Sequence, residues 1–214
     1  MRLLTLLPAL AVMLLAAAPA SAQAPAAGAA PAAQTPPPPP LIMTTDAFPD
    51  GGVIPVQFSQ AAPGAAPGEG TSPAIEWINV PEGTQSFVLH MHDIDVARQG
   101  TTNTQVHWLV WNLPADATGL PEGVQRGVME NGALQISVTG DVYRGPGASA
   151  SGPLHHYVFE LYAIDTVIDV APVVDAADAT RNDPFATRAA VMEAIEGHIL
   201  GKSTFVGLFR RPPA

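Results

Sequence analysis

Cysteine is absent from the 214 residues of this chain, and positive charge is scarce. Nine Lys and Arg stand against 19 Asp and Glu, for a formal net charge of -10. Without cysteine the fold must be stable without disulfides, and a lipid-modified N-terminal cysteine is excluded. Nucleic acids and anionic membrane surfaces attract basic surfaces, so we expect neither a nucleic-acid partner nor a role on such membranes.

Charge is also missing from residues 3–18, which are almost wholly apolar and follow a basic residue at position 2. Small residues of the kind that signal peptidase requires occupy positions 20–22. A membrane-spanning helix needs about 20 apolar residues, whereas Pro8 and Pro19 interrupt or bound this shorter run. We predict that residues 1–22 are a signal peptide, that the chain is exported to the periplasm or secreted, and that no integral membrane segment remains after cleavage. An uncleaved anchor is the alternative.

Large side chains are missing from residues 23–40, which contain only Ala, Pro, Gly, Gln and Thr and end in five prolines. Such a segment cannot bury a core, so we predict a disordered tether. Residues 41–214 remain, and their length suits one compact domain.

Alternating hydrophobicity predicts that this domain is mainly β. In residues 85–92, Phe87, Leu89 and Met91 share one strand face, which continues to Asp93. Residues 106–113 are apolar on both faces, as in a central strand. Further strands are predicted at residues 133–139, 155–164 and 204–209.

One helix is predicted, over residues 188–200. Its apolar stripe runs from Val191 to Ile199 and includes His198, which we expect to be buried. Thr187 is the expected N-cap, and Gly201 the expected C-terminal glycine. Strands and helices do not alternate along the chain, so a doubly wound parallel fold is not expected.

Three polar residues stand where apolar strand faces end: Asp93, His107 and His155. Buried polar groups must be satisfied by one another, by water or by a ligand. Taken singly, each residue is most simply explained by a structural hydrogen bond, but convergence of all three predicts a small polar pocket.

Six motifs in order give the chain a specific resemblance to a known family. They are Thr71-Ser72-Pro73-Ala74-Ile75-Glu76-Trp77, Ser86-Phe87-Val88-Leu89, Asp93-Ile94-Asp95, His107-Trp108-Leu109-Val110-Trp111-Asn112-Leu113-Pro114, Gly152-Pro153-Leu154-His155-His156-Tyr157 and Gly197-His198-Ile199-Leu200-Gly201-Lys202. Together they resemble the phosphatidylethanolamine-binding protein (PEBP) family, in its bacterial Raf kinase inhibitor-like branch, over nearly the whole domain.

The resemblance implies a PEBP-like β-sandwich with a C-terminal α-helix near the mouth of an anion pocket and few other helices. Matching motifs place Asp93, His107, His155 and Tyr157 in that pocket, with Asp95 as the second acid of the Asp-x-Asp motif. Gly145 and Pro146 match a Gly-Pro turn in the pocket wall.

The chemistry of these residue types suits an anion. Imidazole N–H groups, a tyrosine hydroxyl and backbone amides near Gly145 are donors for phosphoryl or carboxylate oxygens. Asp93 has the chemistry to orient a histidine or to accept from an amine head group. We predict an exported ligand-binding protein for an anionic small molecule or phospholipid head group, with no cofactor. Binding should weaken as pH rises and histidine loses its proton.

Two departures from the family pattern suggest a wider or looser pocket. Ile94 and Ala97 stand in a loop at the two positions where the family usually has prolines, and Gln105-Val106 precedes His107 where aromatics are common. The ligand preference of relatives therefore does not transfer with the motifs.

Other functions are also compatible with the sequence. A His/Asp-dependent hydrolase or isomerase would use His107 or His155 as general base beside Asp93, although no Gly-x-Ser-x-Gly motif occurs. A protein-interaction or inhibitor module would bind another exported protein. His90 and His92 have the spacing of metal ligands on a strand, but alternation places both on the face opposite Asp93, so we predict no metal site from these three residues.

Overall fold

The computed structural model describes residues 37–96 and 100–213. The predicted signal peptide and residues 23–36 of the predicted tether lie outside this part of the chain. The compact unit begins at Pro37, and its first prolines line a groove with residues 79–82 and 200–202. The Asn79 side-chain amide donates to the Pro40 carbonyl at 3.1 Å, so the last prolines of the predicted tether contact the domain.

Strands dominate the described residues, as predicted. The strands are β1 (Ile42–Thr44), β2 (Gly52–Val53), β3 (Ile75–Ile78), β4 (Ser86–Asp93), β5 (Gln105–Pro114), β6 (Gly119–Leu120), β7 (Leu134–Ile136), β8 (His155–Ile164) and β9 (Ile199–Phe209). The helices in the described part are α1 (Pro184–Ala194) and a single 3₁₀ turn, Val56–Phe58.

The strands form two sheets that enclose the main core. One has three strands in the order β1-β3-β6, and the other has six in the order β2-β9-β8-β4-β5-β7, with only β2 and β9 parallel. Met43 and Trp77 of the small sheet share a buried cluster with Leu89 and Phe159 of the large one. This arrangement is the predicted β-sandwich.

A second core lies on the other face of the large sheet. Val88 and Leu109 belong to this cluster together with Val191 and Ile195 from the α1 region. The helix thus covers the sheet face opposite the small sheet. No helix in residues 37–96 or 100–213 is long and apolar enough to cross a membrane.

The helix begins and ends earlier than the predicted 188–200. Asp183, not Thr187, is the N-cap, and its carboxylate accepts from the amides of Phe185 and Ala186. Pro184 at the first position fits this start, because its fixed φ suits a helix and its missing N–H costs no bond there. The C-terminal part of the predicted helix instead belongs to β9, whose Ile199 pairs with Ile164. His198 is exposed rather than buried, and its Nδ1 lies 2.7 Å from Asp165.

Strict alternation fails in β5 because of two bulges. Met91 pairs with Trp108 and His92 with Val106, so His107 is the extra residue of the first bulge. The second shift lies near Asn112, which has a φ of 59°. These irregularities place Leu113 with Trp108 in the main core, whereas alternation predicts opposite faces.

Candidate functional site

A cavity of about 270 Å³ lies where β4 ends and β5 and β8 begin. Antiparallel pairing brings these three strand ends to one edge of the sheet, since Asp93 pairs with both Gln105 and Tyr157. The loop at residues 144–149 closes another side. The cavity is lined by Gln60, Asp93, Val96, Gln105, His107, Arg144, Gly147, Ala148, Ser149, His155 and Tyr157.

Asp93 and His155 form the central polar pair of the cavity. Asp93 is almost fully buried, and its Oδ2 lies 2.8 Å from His155 Nδ1. Its Oδ1 accepts from the Asp95 amide at 3.0 Å. A carboxylate at this distance fixes Nδ1–H as the donor to Asp93, which leaves Nε2 as the ring nitrogen of His155 that a ligand can contact.

Tyr157 forms the apolar floor and one polar corner of the cavity. Its buried ring lies 5.0 Å from that of His107 in an edge-to-face arrangement. Its hydroxyl accepts from the Gly147 amide at 3.2 Å and also interacts with Asp93. Burial and the neighbouring Asp93 charge raise the pKa of Tyr157, so the hydroxyl keeps its proton at neutral pH.

His107 is a neutral imidazole, and both of its ring nitrogens have partners in the protein. Its Nδ1 lies 2.9 Å from the carbonyl of Arg144, which can only accept, so Nδ1 carries the proton. Its Nε2 lies 3.3 Å from the Gln105 amide nitrogen, which donates to it. Burial lowers the pKa of His107 to about 3. The imidazole is therefore uncharged at neutral pH and forms part of the cavity wall without being a donor to an anion.

Gly145 and Pro146 support the cavity wall without lining the cavity. Their carbonyls accept from Gln60, the Gly145 oxygen from the side-chain amide at 2.7 Å and the Pro146 oxygen from the backbone amide at 3.0 Å. A Cβ on Gly145 would lie 2.8–2.9 Å from backbone atoms of residues 58–60. The Gly-Pro turn thus fixes the loop by close backbone approach.

Asp95 lies beside the cavity but does not line it. Its Oδ2 accepts from the His156 amide at 2.6 Å and lies 3.0 Å from His156 Nδ1. Burial alone would raise the pKa of Asp95. The hydrogen bonds from His156 together outweigh burial, so the pKa of Asp95 is lowered. Asp95 holds the loop after β4 against the start of β8.

Sequence reasoning missed several lining residues. Gln105 lies two positions before His107 on the same strand, and this spacing is a signal that would have found it. Gln60 and Arg144 reach the cavity from distant loops and carry no such signal. Arg144 donates from Nη1 to Thr139 Oγ1 at 2.8 Å, so its positive charge is held close to the cavity.

Two groups of side chains have metal-ligand chemistry in the described ranges. Asp93, Asp95 and His155 form one at the cavity. His90 and His92 face away from the cavity, as alternation predicts, but Glu160 of β8 joins them there in a second group. Nothing in the sequence connects Glu160 with the two histidines, because the register between β4 and β8 is not visible in it.

Comparison with known proteins identifies the fold and the family. Residues 44–210 match the family model described as phosphatidylethanolamine-binding protein. A UPF0098 protein of Methanothermobacter thermautotrophicus is 37% identical over 172 residues, which cover 79% of this chain and 98% of the relative. The UPF0098 protein YbhB of Escherichia coli is 38% identical over 101 residues, covering 46% of this chain and 62% of YbhB.

Two crystal structures have the same fold. The PEBP homologue CT736 of Chlamydia trachomatis superposes with a TM-score of 0.62 at 26% identity, covering 80% of this chain and 98% of CT736. Escherichia coli YbcL, described as a member of the mammalian PEBP family, gives a TM-score of 0.62 at 25% identity, covering 80% and 98% of the two chains. The family model spans well over half of the residues, from β1 to the end of β9, and the chain therefore belongs to the phosphatidylethanolamine-binding protein family.

Proposed function

We propose that the cavity binds a small anion through a phosphoryl or carboxylate group, with a phospholipid head group as one source of that chemistry. The observation that carries this proposal is the His155–Asp93 pair. Asp93 holds Nδ1 at 2.8 Å and leaves Nε2 to the cavity. A protonated His155 then donates to an anion while Asp93 stabilises its charge.

The charge of the lining explains how an acidic protein can accept an anion. Asp93 is the only carboxylate among the lining residues, and Arg144 is the only permanent cation. Their charges cancel, so protonation of His155 gives the lining a net charge of +1. Local charge, rather than the net charge of the whole chain, therefore supports anion binding.

The donor and the size of the cavity favour a small anion. His155 supplies the donor, whereas His107 is neutral and its Nε2 already accepts from the Gln105 amide at 3.3 Å. A cavity of about 270 Å³ suits a phosphoryl or carboxylate group with a small substituent rather than an acyl chain.

Calorimetric titration of the purified chain, dialysed against a chelator, tests this function. Phosphorylethanolamine, inorganic phosphate and acetate are the three probes. Saturable binding of phosphorylethanolamine that is lost in His155→Ala supports the proposal. His198→Ala is the matched control, because His198 also contacts a carboxylate but lies on the exposed surface.

The three probes separate the sources of the ligand. Tighter binding of phosphorylethanolamine than of phosphate favours a head group, and equal binding favours the bare phosphoryl group. Binding of acetate alone favours a carboxylate ligand. No heat with any probe, or equal binding by His155→Ala, would contradict an anion site at His155.

We also propose that the chain is exported. The support is the basic start, the short apolar run and the small residues at positions 20–22. Mass spectrometry of the chain recovered from its producing cell tests this by its N-terminal residue. A chain that begins after residue 22 supports export, and a chain that retains residues 1–22 in the cytoplasm contradicts it.

A further inference from the structure

A second polar cluster lies on the sheet face opposite the cavity. His90 and His92 of β4 stack at 4.4 Å between ring centroids, and Glu160 lies beside them on β8. Glu160 Oε2 lies 3.6 Å from His90 Nδ1 and 3.4 Å from His92 Nε2. The His90 side chain is only 5% exposed.

We propose that His90, His92 and Glu160 bind a divalent first-row transition metal ion, with Zn²⁺ as the probe. One ligand atom from each residue lies within 4.8 Å of the other two. Ligands about 2.0–2.1 Å from a tetrahedral zinc ion are about 3.4 Å apart, close to the two distances from Glu160. The three atoms thus already stand near the corners of such a coordination sphere.

Nε2 of His92 is a second, independent reason for this assignment. It is buried and makes no hydrogen bond in the described structure. Buried polar atoms of this kind normally have a partner. Coordination of an ion between Nε2 of His92 and Nδ1 of His90 would supply that partner.

Thr104 holds His92 in the orientation that coordination requires. Its Oγ1 lies 2.8 Å from His92 Nδ1 and also accepts from Arg188 at 3.1 Å. When Nδ1 donates to this hydroxyl, Nε2 carries the lone pair and faces Glu160. A hydrogen bond at the other ring nitrogen is the usual support for a metal-binding histidine.

The ligand set selects against Mg²⁺ and Ca²⁺. These ions prefer oxygen ligands, whereas two imidazoles and one carboxylate suit Zn²⁺, Cu²⁺ or Ni²⁺. His92 and Glu160 are partly exposed, so an ion can enter from solvent and keep a water molecule as a further ligand.

Lys202 should weaken metal binding, and its replacement is therefore a test of the site. Its Nζ donates to Glu160 Oε1 at 2.5 Å, which leaves Oε2 for the ion. A cation at this position repels a dication and competes for the same carboxylate. Lys202→Met should therefore strengthen metal binding, although it removes an ion pair.

Equilibrium dialysis of the purified, untagged chain against Zn²⁺, with metal analysis, tests the proposal. We expect one ion per chain, and binding at least about tenfold weaker in His92→Gln and in Glu160→Gln. The Co²⁺-substituted chain should show the strong visible absorption of a four-coordinate ion. His198→Gln, an exposed histidine beside Asp165, is the matched control and should bind like the unaltered chain.

A further variant separates this site from the cavity, where Asp93, Asp95 and His155 form the other candidate group. His155→Ala should keep zinc binding, and zinc should bind whether or not the cavity binds an anion. Loss of zinc in His155→Ala with retention in His92→Gln would overturn the proposal. Absence of stoichiometric binding, or weaker binding in Lys202→Met when circular dichroism shows an unchanged fold, would also overturn it.

Discussion

Asp93 acts through His155 in the proposed anion site. It is almost fully buried, and it accepts hydrogen bonds from the imidazole of His155 and from the backbone amide of Asp95. Because it is a carboxylate next to the cavity, its own charge repels an anion. Its favourable contribution is therefore to orient His155 through Nδ1, which makes it a positioning residue.

Asp93→Asn tests this role at nearly constant volume. The amide keeps a hydrogen-bonding group but loses the charge-assisted bond that holds the His155 ring, so we expect phosphorylethanolamine to bind about tenfold more weakly. Calorimetry measures the affinity, and urea denaturation shows whether the fold is kept. Asp165→Asn, in the exposed pair with His198, is the control and should leave the affinity unchanged.

The sequence is informative about which residue types meet in the cavity, but less so about their protonation. Asp93, His107, His155 and Tyr157 stand in recognisable motifs, and the structure brings all four to one edge of the sheet. The tautomer of His107 depends on the Arg144 carbonyl, which lies 37 positions away. A contact of this kind follows from tertiary structure and cannot be obtained from a motif.

At the scale of elements, the loop at residues 144–149 depends on close backbone packing at Gly145. A Cβ there would approach backbone atoms of Ser59 and Gln60 within 3.0 Å, and backbone cannot move aside as a flexible side chain can. Gly145→Ala should therefore destabilise the chain by about 1–3 kcal/mol and weaken anion binding. Urea denaturation and calorimetry measure the two effects.

Gly152→Ala is the matched control for that prediction. It lies in the same loop region, but its added Cβ would make only ordinary contacts, at 3.6 Å from the nearest atom. We expect little change in stability or in binding. Equal effects of the two substitutions would indicate that general loop flexibility, and not the close approach at Gly145, explains the result.

The start of α1 provides a second prediction at this scale. Asp183 accepts from two amides of the first turn that otherwise have no partner in the helix. Asp183→Ala should lower the free energy of unfolding by about 1 kcal/mol, measured by urea denaturation. Asp178→Ala is the control, because Asp178 accepts from Thr180 in an exposed turn. A loss as large in Asp178→Ala would contradict the capping argument.

Helix boundaries were the least predictable part of the fold for a physical reason. Residues 195–200 continue an apolar pattern compatible with a helix, but pairing of β9 with β8 satisfies the backbone from Ile199 onward. The strand β8, by contrast, was predicted at its observed bounds, since its alternation is regular and its inward face is wholly buried beyond His155. Tertiary pairing decides between two local structures that the pattern alone allows.

At the scale of the whole molecule, regular alternation is enough to predict a mainly β domain. It does not predict which sheet face every side chain occupies. Faces were correct in β4 and β8, where pairing is continuous between the two strands. They failed in β5, where the bulge at His107 places both His107 and Trp108 on the side of the main core. That bulge is also what brings His107 to the cavity. Periodicity therefore cannot predict the bulge that shapes this part of the cavity.

The buried neutral His107 should make the whole molecule sensitive to acid. Burial lowers the pKa of His107 to about 3, against an ordinary value of 6.5 in the unfolded chain. Between these two values the unfolded chain binds a proton at this position that the folded chain does not, so the free energy of unfolding falls as pH falls. At pH 5 the loss from this residue alone is about 2 kcal/mol relative to pH 8.

His107→Gln isolates this contribution. Glutamine does not titrate, so the difference in unfolding free energy between pH 8 and pH 5 should be about 2 kcal/mol smaller than in the unaltered chain. The substitution also removes the bond to the Arg144 carbonyl and lowers stability at both pH values, but that loss cancels in the difference. Urea denaturation at the two pH values, with a chelator present, provides the measurement. The same pH dependence in both chains would mean that His107 already accepts a proton in the folded state, which would contradict a neutral His107 whose Nε2 accepts from Gln105.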